Sequence, residues 1–237
     1  MKRRILVINP NSNEDVTRCI DAALDALRYD DGFAIECVTL AEGPPGIETQ
    51  NHVDEVAPLV SRRIERESAS ADAFVIACYS DPGLRSAREV TDRPVFGIAE
   101  SGLSMALSLG DRIGVISILA QSAARHIIYA RSLLLERRIA ADLPIGLGIS
   151  ELHDSSRVAD RMLQVGRELK DAHAADVVLL GCAGMANHRE RLERELRIPV
   201  VEPTQATVAL AMTAVRLGYR HGYGTPRASP EARRSTR

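Results

Sequence analysis

An α/β fold laid down twice, each half a largely parallel sheet flanked by helices, is what this 237-residue sequence predicts. Three observations carry the expectation. Short apolar, β-branched runs alternate with helical or turn-rich stretches long enough to serve as crossover connections. Matched segments recur about half a chain apart. Within each half, one of the matched runs ends on a cysteine.

Ile5 to Ile8 reads as a buried strand, and the loop "NPNSN" leads into a helix from about Asp15. Val16, Ile20, Ala23, Leu24 and Leu27 recur on one face of that helix at helical spacing. "FAIECVTL" is a second strand, and "ADAFVIAC", "RPVFGIA", "DRIGVISI", "ADVVLLGC" and "IPVVEP" are further short strands. Parallel strands covered on both faces read as such uninterrupted apolar runs. From His221 onwards, "HGYGTPRASPEARRSTR" is basic and rich in breakers and is expected to be a disordered tail.

The duplication is visible in register. "RILVINPN" from Arg4 matches "RIGVISIL" from Arg112, and "ADAFVIAC" from Ala71 matches "ADVVLLGC" from Ala175. After each cysteine come a charged helical stretch and an X-Pro-Val strand, "DRPVFGIAE" ending at Glu100 and "RIPVVEP" containing Glu202. The slightly different offsets fit loop insertions between the halves.

Composition narrows the partner to a small molecule. A net charge of −2 leaves no electrostatic footprint for nucleic acid or an anionic membrane, and 3% aromatic residues offer little stacking surface. The apolar run at the N-terminus is too short for a signal peptide or a membrane span, so a cytoplasmic location is expected. The four cysteines, at 19, 37, 78 and 182, show no metal-ligand spacing, and in the cytosol they should be free thiols. No cofactor and no metal is implied.

Cys78 and Cys182 are the candidates for chemistry. In open parallel sheets, ligands bind beyond the carboxyl ends of the strands, where both cysteines fall. If a pseudo-two-fold axis relates the halves with their strand ends facing, one thiol lies on either side of a single ligand. Ser80 or Asp81 can cap a following helix with Pro82 at its first position, and "AGMANHRE" begins a helix after Cys182. Positive helix ends lower a thiol pKa from roughly 8.5 into the range of about 3.5 to 7.5. Two such thiols make an acid and a base.

With these motifs in hand, the sequence resembles the Asp/Glu/hydantoin racemase superfamily, and within it the hydantoin and allantoin racemases. The resemblance covers about residues 3 to 220 and rests on "INPNS" at 8 to 12, "ACYSDPGL" at 77 to 84, "GIAE" at 97 to 100 and "LGCAGM" at 180 to 185. It implies two pseudo-symmetric lobes with the active site in the cleft between them. The corresponding division is 1–97 plus 206–220 for the lobe carrying Cys78, and 98–205 for the lobe carrying Cys182. It also implies cofactor-independent racemisation with the two cysteines as bases, and a homo-oligomer. Relatives that act on acidic amino acids follow each cysteine with a carboxylate-gripping Asn-Thr pair. This chain has Tyr79-Ser80 and Ala183-Gly184 instead, which favours a neutral cyclic substrate such as a 5-substituted hydantoin or allantoin.

The expected substrate contacts are Tyr79, Ser80, Ala183 and Gly184, whose backbone N–H groups would face an enolate oxygen, with Asn9 and Asn11 holding ring groups. Blander readings stand beside them. Cys19 and Cys37 are expected to be small hydrophobes. Ser12 with Asp15 reads equally as a capping box, Asp81-Pro82-Gly83 as a turn, and Glu100 and Glu202 as helix-start carboxylates. His188 is expected on an exposed helix face. Two other function classes remain. One is an amino-acid racemase or another superfamily isomerase or decarboxylase, although decarboxylating relatives keep one of the two cysteines. The other is a non-catalytic small-molecule binder.

Overall fold

A computed structural model describes residues 2–29, 31–152 and 155–222. It contains two four-stranded sheets, each entirely parallel. The first comprises β1 (Arg3–Asn9), β2 (Phe33–Thr39), β3 (Ala73–Ile76) and β4 (Val95–Gly97), in the order β2-β1-β3-β4. The second comprises β5 (Ile113–Ser117), β6 (Ile139–Pro144), β7 (Val177–Leu180) and β8 (Val200–Val201), in the equivalent order β6-β5-β7-β8. The inner strands β3, β5 and β7 are buried along their whole length, which is why they read as apolar runs.

The duplication extends to individual hydrogen bonds. Asp72 N donates to Arg4 O at 2.8 Å, and Asp176 N donates to Arg112 O at 3.0 Å. In each half the same aspartate also accepts from the arginine N–H, at 2.8 Å for Asp72 and 2.9 Å for Asp176. At the other end of the strands, Ala77 N bonds Ile8 O and Gly181 N bonds Ile116 O, both at 2.8 Å.

Helices α1 (Glu14–Ala23), α2 (Gln50–Glu67), α3 (Leu84–Ala87) and α4 (Ile98–Leu107) belong to the first half of the chain. The second half carries α5 (Ala120–Ser132), α6 (Ser155–Asp171), α7 (Arg189–Leu196) and α8 (Pro203–Leu217). Helix α4 packs on β7 and β8, whereas α8 crosses back onto β1, β3 and β4. The two helices also pack on each other, so the lobes share a continuous core that runs from Ile5 and Val7 through Ile98 and Val208 to Ile116 and Leu180.

Several local expectations are corrected. Helix α1 is capped by Asn13, whose side chain accepts from Asp15 N, rather than by Ser12. Asp81 does not cap the helix after it: Gly83 sits at that N-cap with φ 72°, and a Cβ there would lie 2.5 Å from Ala57 O. Strand β6 was not among the expected strands. His221, expected to open the tail, instead accepts a hydrogen bond from Val95 N and packs its ring 6.0 Å from that of Phe96. The rest of that segment, 223–237, lies outside the described residues. No helix among the described residues is long and apolar enough to cross a membrane.

Candidate active site

Cys78 comes directly after β3 and Ala77, Cys182 directly after β7 and Gly181, and both line one pocket between the lobes. Because the sheets face each other through their carboxyl ends, equivalent positions of the duplicated halves meet there. Asn11, Tyr79, Ser80, Ala183 and Gly184, all expected at the site, line the same pocket. The cavity is tight, about 30 Å³.

The thiol environment differs from the expectation. Burial pushes the Cys78 thiol up to about 11, with the Asp81 charge adding to the rise, while Ser80 and Arg125 pull it back. Burial likewise pushes Cys182 up to about 12, with Gly184 N–H opposing and negative charge on Cys78, Cys19 and Glu202 adding. The expected depression by helix ends fails for a structural reason. Cys78 leads into a turn and a single helical turn, and Cys182 leads into a 3-10 segment, so neither thiol meets a long aligned helix. Desolvation then dominates. The N–H groups of Ser80 and Gly184, two residues beyond each cysteine, lie against the sulfurs and are set to stabilise a thiolate.

Asn9 is not a pocket group. Its side-chain nitrogen donates to Asn11 Oδ1 (3.0 Å), Asn13 O (3.1 Å) and Thr17 Oγ1 (3.0 Å), so it is spent ordering the loop. Asn11 Oδ1 also accepts from Asn13 N at 2.9 Å, which leaves the Asn11 amide nitrogen to donate towards the pocket it lines.

Asp81 holds its backbone at φ 42° and sends its carboxylate to the start of α4, accepting from Ala99 N and Glu100 N at 2.9 Å each and from Tyr129 Oη at 2.9 Å. Burial raises this carboxyl to about 6, against those three donors. Glu202 does the same for α8 from its own N-cap, accepting from Thr204 N and Gln205 N. Glu100 lies inside the first turn of α4 and pairs with Arg88 at 3.1 Å. None of these carboxylates lines the thiol pocket.

Cys37 packs against the core, and burial pushes its thiol up to about 12. Cys19 sits where the lobes meet, its S–H donating to Gly184 O at 3.5 Å. It lines a second cleft of about 290 Å³ that shares Val16, Ile149 and Gly184 with the thiol pocket. His188, expected on an exposed face, is instead 8% exposed in the wall of that cleft, because the 3-10 segment 183–188 packs under α1.

Among the pocket residues that went unforeseen are Arg125 and His126 of α5. His126 Nδ1 lies 2.9 Å from Asp142 Oδ2 on β6 and 3.0 Å from Ser117 Oγ, and its ring stands edge-on to Tyr79 at 4.7 Å. The signal was present in the spacing of α5. Ser122, His126 and Ala130 recur every four residues and are all buried, so a polar residue faces inwards.

The whole of this arrangement falls within residues 5–211, which match the family model described as Asp/Glu/Hydantoin racemase. A hydantoin racemase from Pseudomonas sp. (strain NS671) is 37% identical, with 91% of this chain and 87% of that protein covered. Among solved structures, an allantoin racemase from Klebsiella pneumoniae superposes with a TM-score of 0.86 at 31% identity, covering 95% of each chain. The allantoin racemase of Pseudomonas fluorescens superposes with a TM-score of 0.88 at 28% identity, covering 94% of this chain and 97% of that one. The chain belongs to the Asp/Glu/hydantoin racemase family and is a racemase.

Proposed function

We propose that this racemase inverts the stereocentre of a 5-substituted hydantoin or a related cyclic ureide such as allantoin, with Cys78 and Cys182 as its two bases. The observation that carries the reading is the convergence of two thiols, from equivalent strand ends of duplicated lobes, on one pocket. In such a ring the carbon bearing the hydrogen lies between a ring nitrogen and a carbonyl. A thiolate on one face takes that proton, the C–H electron pair passes into the ring as an enolate, and the thiol on the other face returns a proton to the same carbon. Each such group contributes about 10² to 10⁴-fold.

The remaining acceleration falls to donors aimed at the enolate oxygen. The side chain of Asn11, which lines the pocket, and the backbone N–H groups of Tyr79 and Ala183 are the groups assigned to it. The substituent on the ring projects towards the adjoining 290 Å³ cleft, which has the room that the thiol pocket lacks. The absence of carboxylate-gripping Asn-Thr pairs after the cysteines supports a neutral ring over an amino acid.

The test is proton exchange in D₂O with single enantiomers of several 5-substituted hydantoins, allantoin, aspartate and glutamate. Loss of the stereocentre proton by NMR, together with inversion by chiral analysis, is expected on ring substrates. It should be abolished in Cys78→Ser and in Cys182→Ser. Exchange confined to aspartate or glutamate would reassign the substrate, and two-way inversion by either single-cysteine variant would remove the two-base mechanism.

A further inference from the structure

Arg125 enters the thiol pocket from α5 in an unusual state for a guanidinium. Its Nη1 donates to Glu48 O at 2.7 Å and Gln121 O at 3.2 Å, and its Nη2 donates to Ser122 Oγ at 3.3 Å. These acceptors are dipoles rather than anions. Its Nε is buried and has no hydrogen-bond partner among the described residues. The Arg125 side chain is half-buried, burial lowers its pKa from the usual guanidinium range, and among the described residues it makes no ion pair with the carboxylate or other anion that commonly matches an arginine. The anion-forming groups that act on it are Cys78 and Glu48, the latter with its carboxylate tied to Ile149 N, and Arg125 acts in turn on Cys78.

The two thiols sit in different fields. Facing Cys78 are Arg125, the N–H and hydroxyl of Ser80, and the carboxylate of Asp81, with His126, Tyr79 and Cys182 completing the pocket. Asp81 opposes a thiolate, but its oxygens are already occupied by two N–H groups and the Tyr129 hydroxyl, which blunts its field at the sulfur. Facing Cys182 are Gly184 N–H and three groups of like charge when ionised: Cys78, Cys19 and Glu202. None of the groups that act most on Cys182 is a cation, as Arg125 is at Cys78.

We propose that Arg125 is a positioning residue that breaks the symmetry of the thiol pair, holding the single negative charge of the active monoanion on Cys78 and leaving Cys182 as the thiol. This rests on the two-thiol reading of the site. Its chemical consequence is directional. That monoanion removes the proton from the substrate face that meets Cys78 and supplies the replacement from Cys182. Before that face is attacked again, a proton must pass back from Cys78 to Cys182 through solvent, or the opposite enantiomer must be turned over.

The experiment reads the thiols directly, without substrate. Full-length protein is treated with iodoacetamide across a pH series, and carboxamidomethylation of the Cys78 and Cys182 peptides is followed separately by mass spectrometry. In the wild type, Cys78 should label at lower pH than Cys182. In Arg125→Gln, Cys78 labelling should slow roughly tenfold at fixed pH, a displacement of about one unit in its profile, while Cys182, relieved of its neighbour's charge, should label no more slowly than in the wild type. Arg125→Lys should recover part of the shift, since a cation is restored without the planar fork. A thermal melt and the Cys182 profile report whether the fold and the cleft are intact.

Equal profiles for the two cysteines in the wild type would overturn the assignment, and so would an unmoved Cys78 profile in Arg125→Gln. Parallel slowing of both cysteines would make Arg125 a packing residue of the cleft. Turnover of none of the ring substrates, with the labelling asymmetry intact, would count against the substrate reading while leaving the role of Arg125 standing.

Discussion

At the scale of single residues, the thiol pair operates far from neutral ionisation. With Cys78 raised to about 11 and Cys182 to about 12, both chiefly by burial, the closed site is almost wholly protonated near neutral pH. A two-base reaction needs one thiolate and one thiol, and the two ionisations belong to the pair rather than to either sulfur. The active monoanion therefore grows with pH until the first ionisation is complete and declines as the second sets in. We expect kcat/KM on a ring substrate to rise roughly tenfold per unit between about pH 7 and pH 9, with the turning point well above pH 9. A bell in kcat/KM centred near neutrality would mean that water in an opened cleft lowers the thiols of the free enzyme by several units. Asp81 presents a different residue-level test. Asp81→Ala leaves Ala99 N, Glu100 N and the Tyr129 hydroxyl without their acceptor. Stability by urea denaturation should fall by about 1–3 kcal/mol, the cost of stranding buried donors.

At the scale of elements, the junction of β4 and α4 shows how the repeat solves one problem in two ways. Gly97 and Glu202 occupy equivalent places, each at the N-cap of the helix after an X-Pro-Val strand. In the second lobe Glu202 caps its own helix, whereas in the first the carboxylate arrives from Asp81, and a Cβ on Gly97 would lie 2.2 Å from Asp81 Cγ. Gly97→Ala must therefore displace a carboxylate pinned by three donors. It should cost about 1–3 kcal/mol and accelerate hydrogen exchange at Ala99 and Glu100, and an unchanged melting temperature would contradict this account. The elements also mark what the sequence made legible. The inner strands β1, β3, β5 and β7 were readable because strands buried on both faces are continuous apolar runs. The two cysteines stood out because the repeat placed both at strand ends. Strand β6 was not readable: it is a half-buried edge strand of Ala, Asp and Pro with no alternating pattern. Arg125 and His126 were hidden for a related reason. An Arg-His pair in a helix reads as a solvated face, and here Arg125 is tied to the loop ending at Glu48, distant in sequence, while His126 is covered by β6, a strand the sequence did not announce.

At the scale of the whole molecule, contacts that cross between the lobes keep the thiol pocket narrow, and the pocket must widen before a ring can sit between the thiols. A five-membered ring with two carbonyl oxygens is several times larger than a cavity of about 30 Å³. The shared core through α4 and α8 resists wholesale separation of the lobes, so the loops over the cleft are the parts free to move. Glu48 ties them together. Its Oε1 accepts from Ile149 N at 2.8 Å and its backbone oxygen accepts from Arg125 at 2.7 Å, so one residue of the first lobe holds two segments of the second. Glu48→Ala removes the first tie and keeps the second. Loss of one charge-assisted hydrogen bond at a partly exposed position, about 1 kcal/mol, should raise hydrogen exchange at the Ile149 amide roughly fivefold. Because water then reaches the thiols more often, the rising limb of the pH–rate profile should move towards the ordinary thiol value, and kcat should change with it. Unchanged Ile149 exchange would show that Glu48 is not what holds the loops shut. Faster exchange with an unmoved pH profile would separate loop closure from the burial that raises the two thiols.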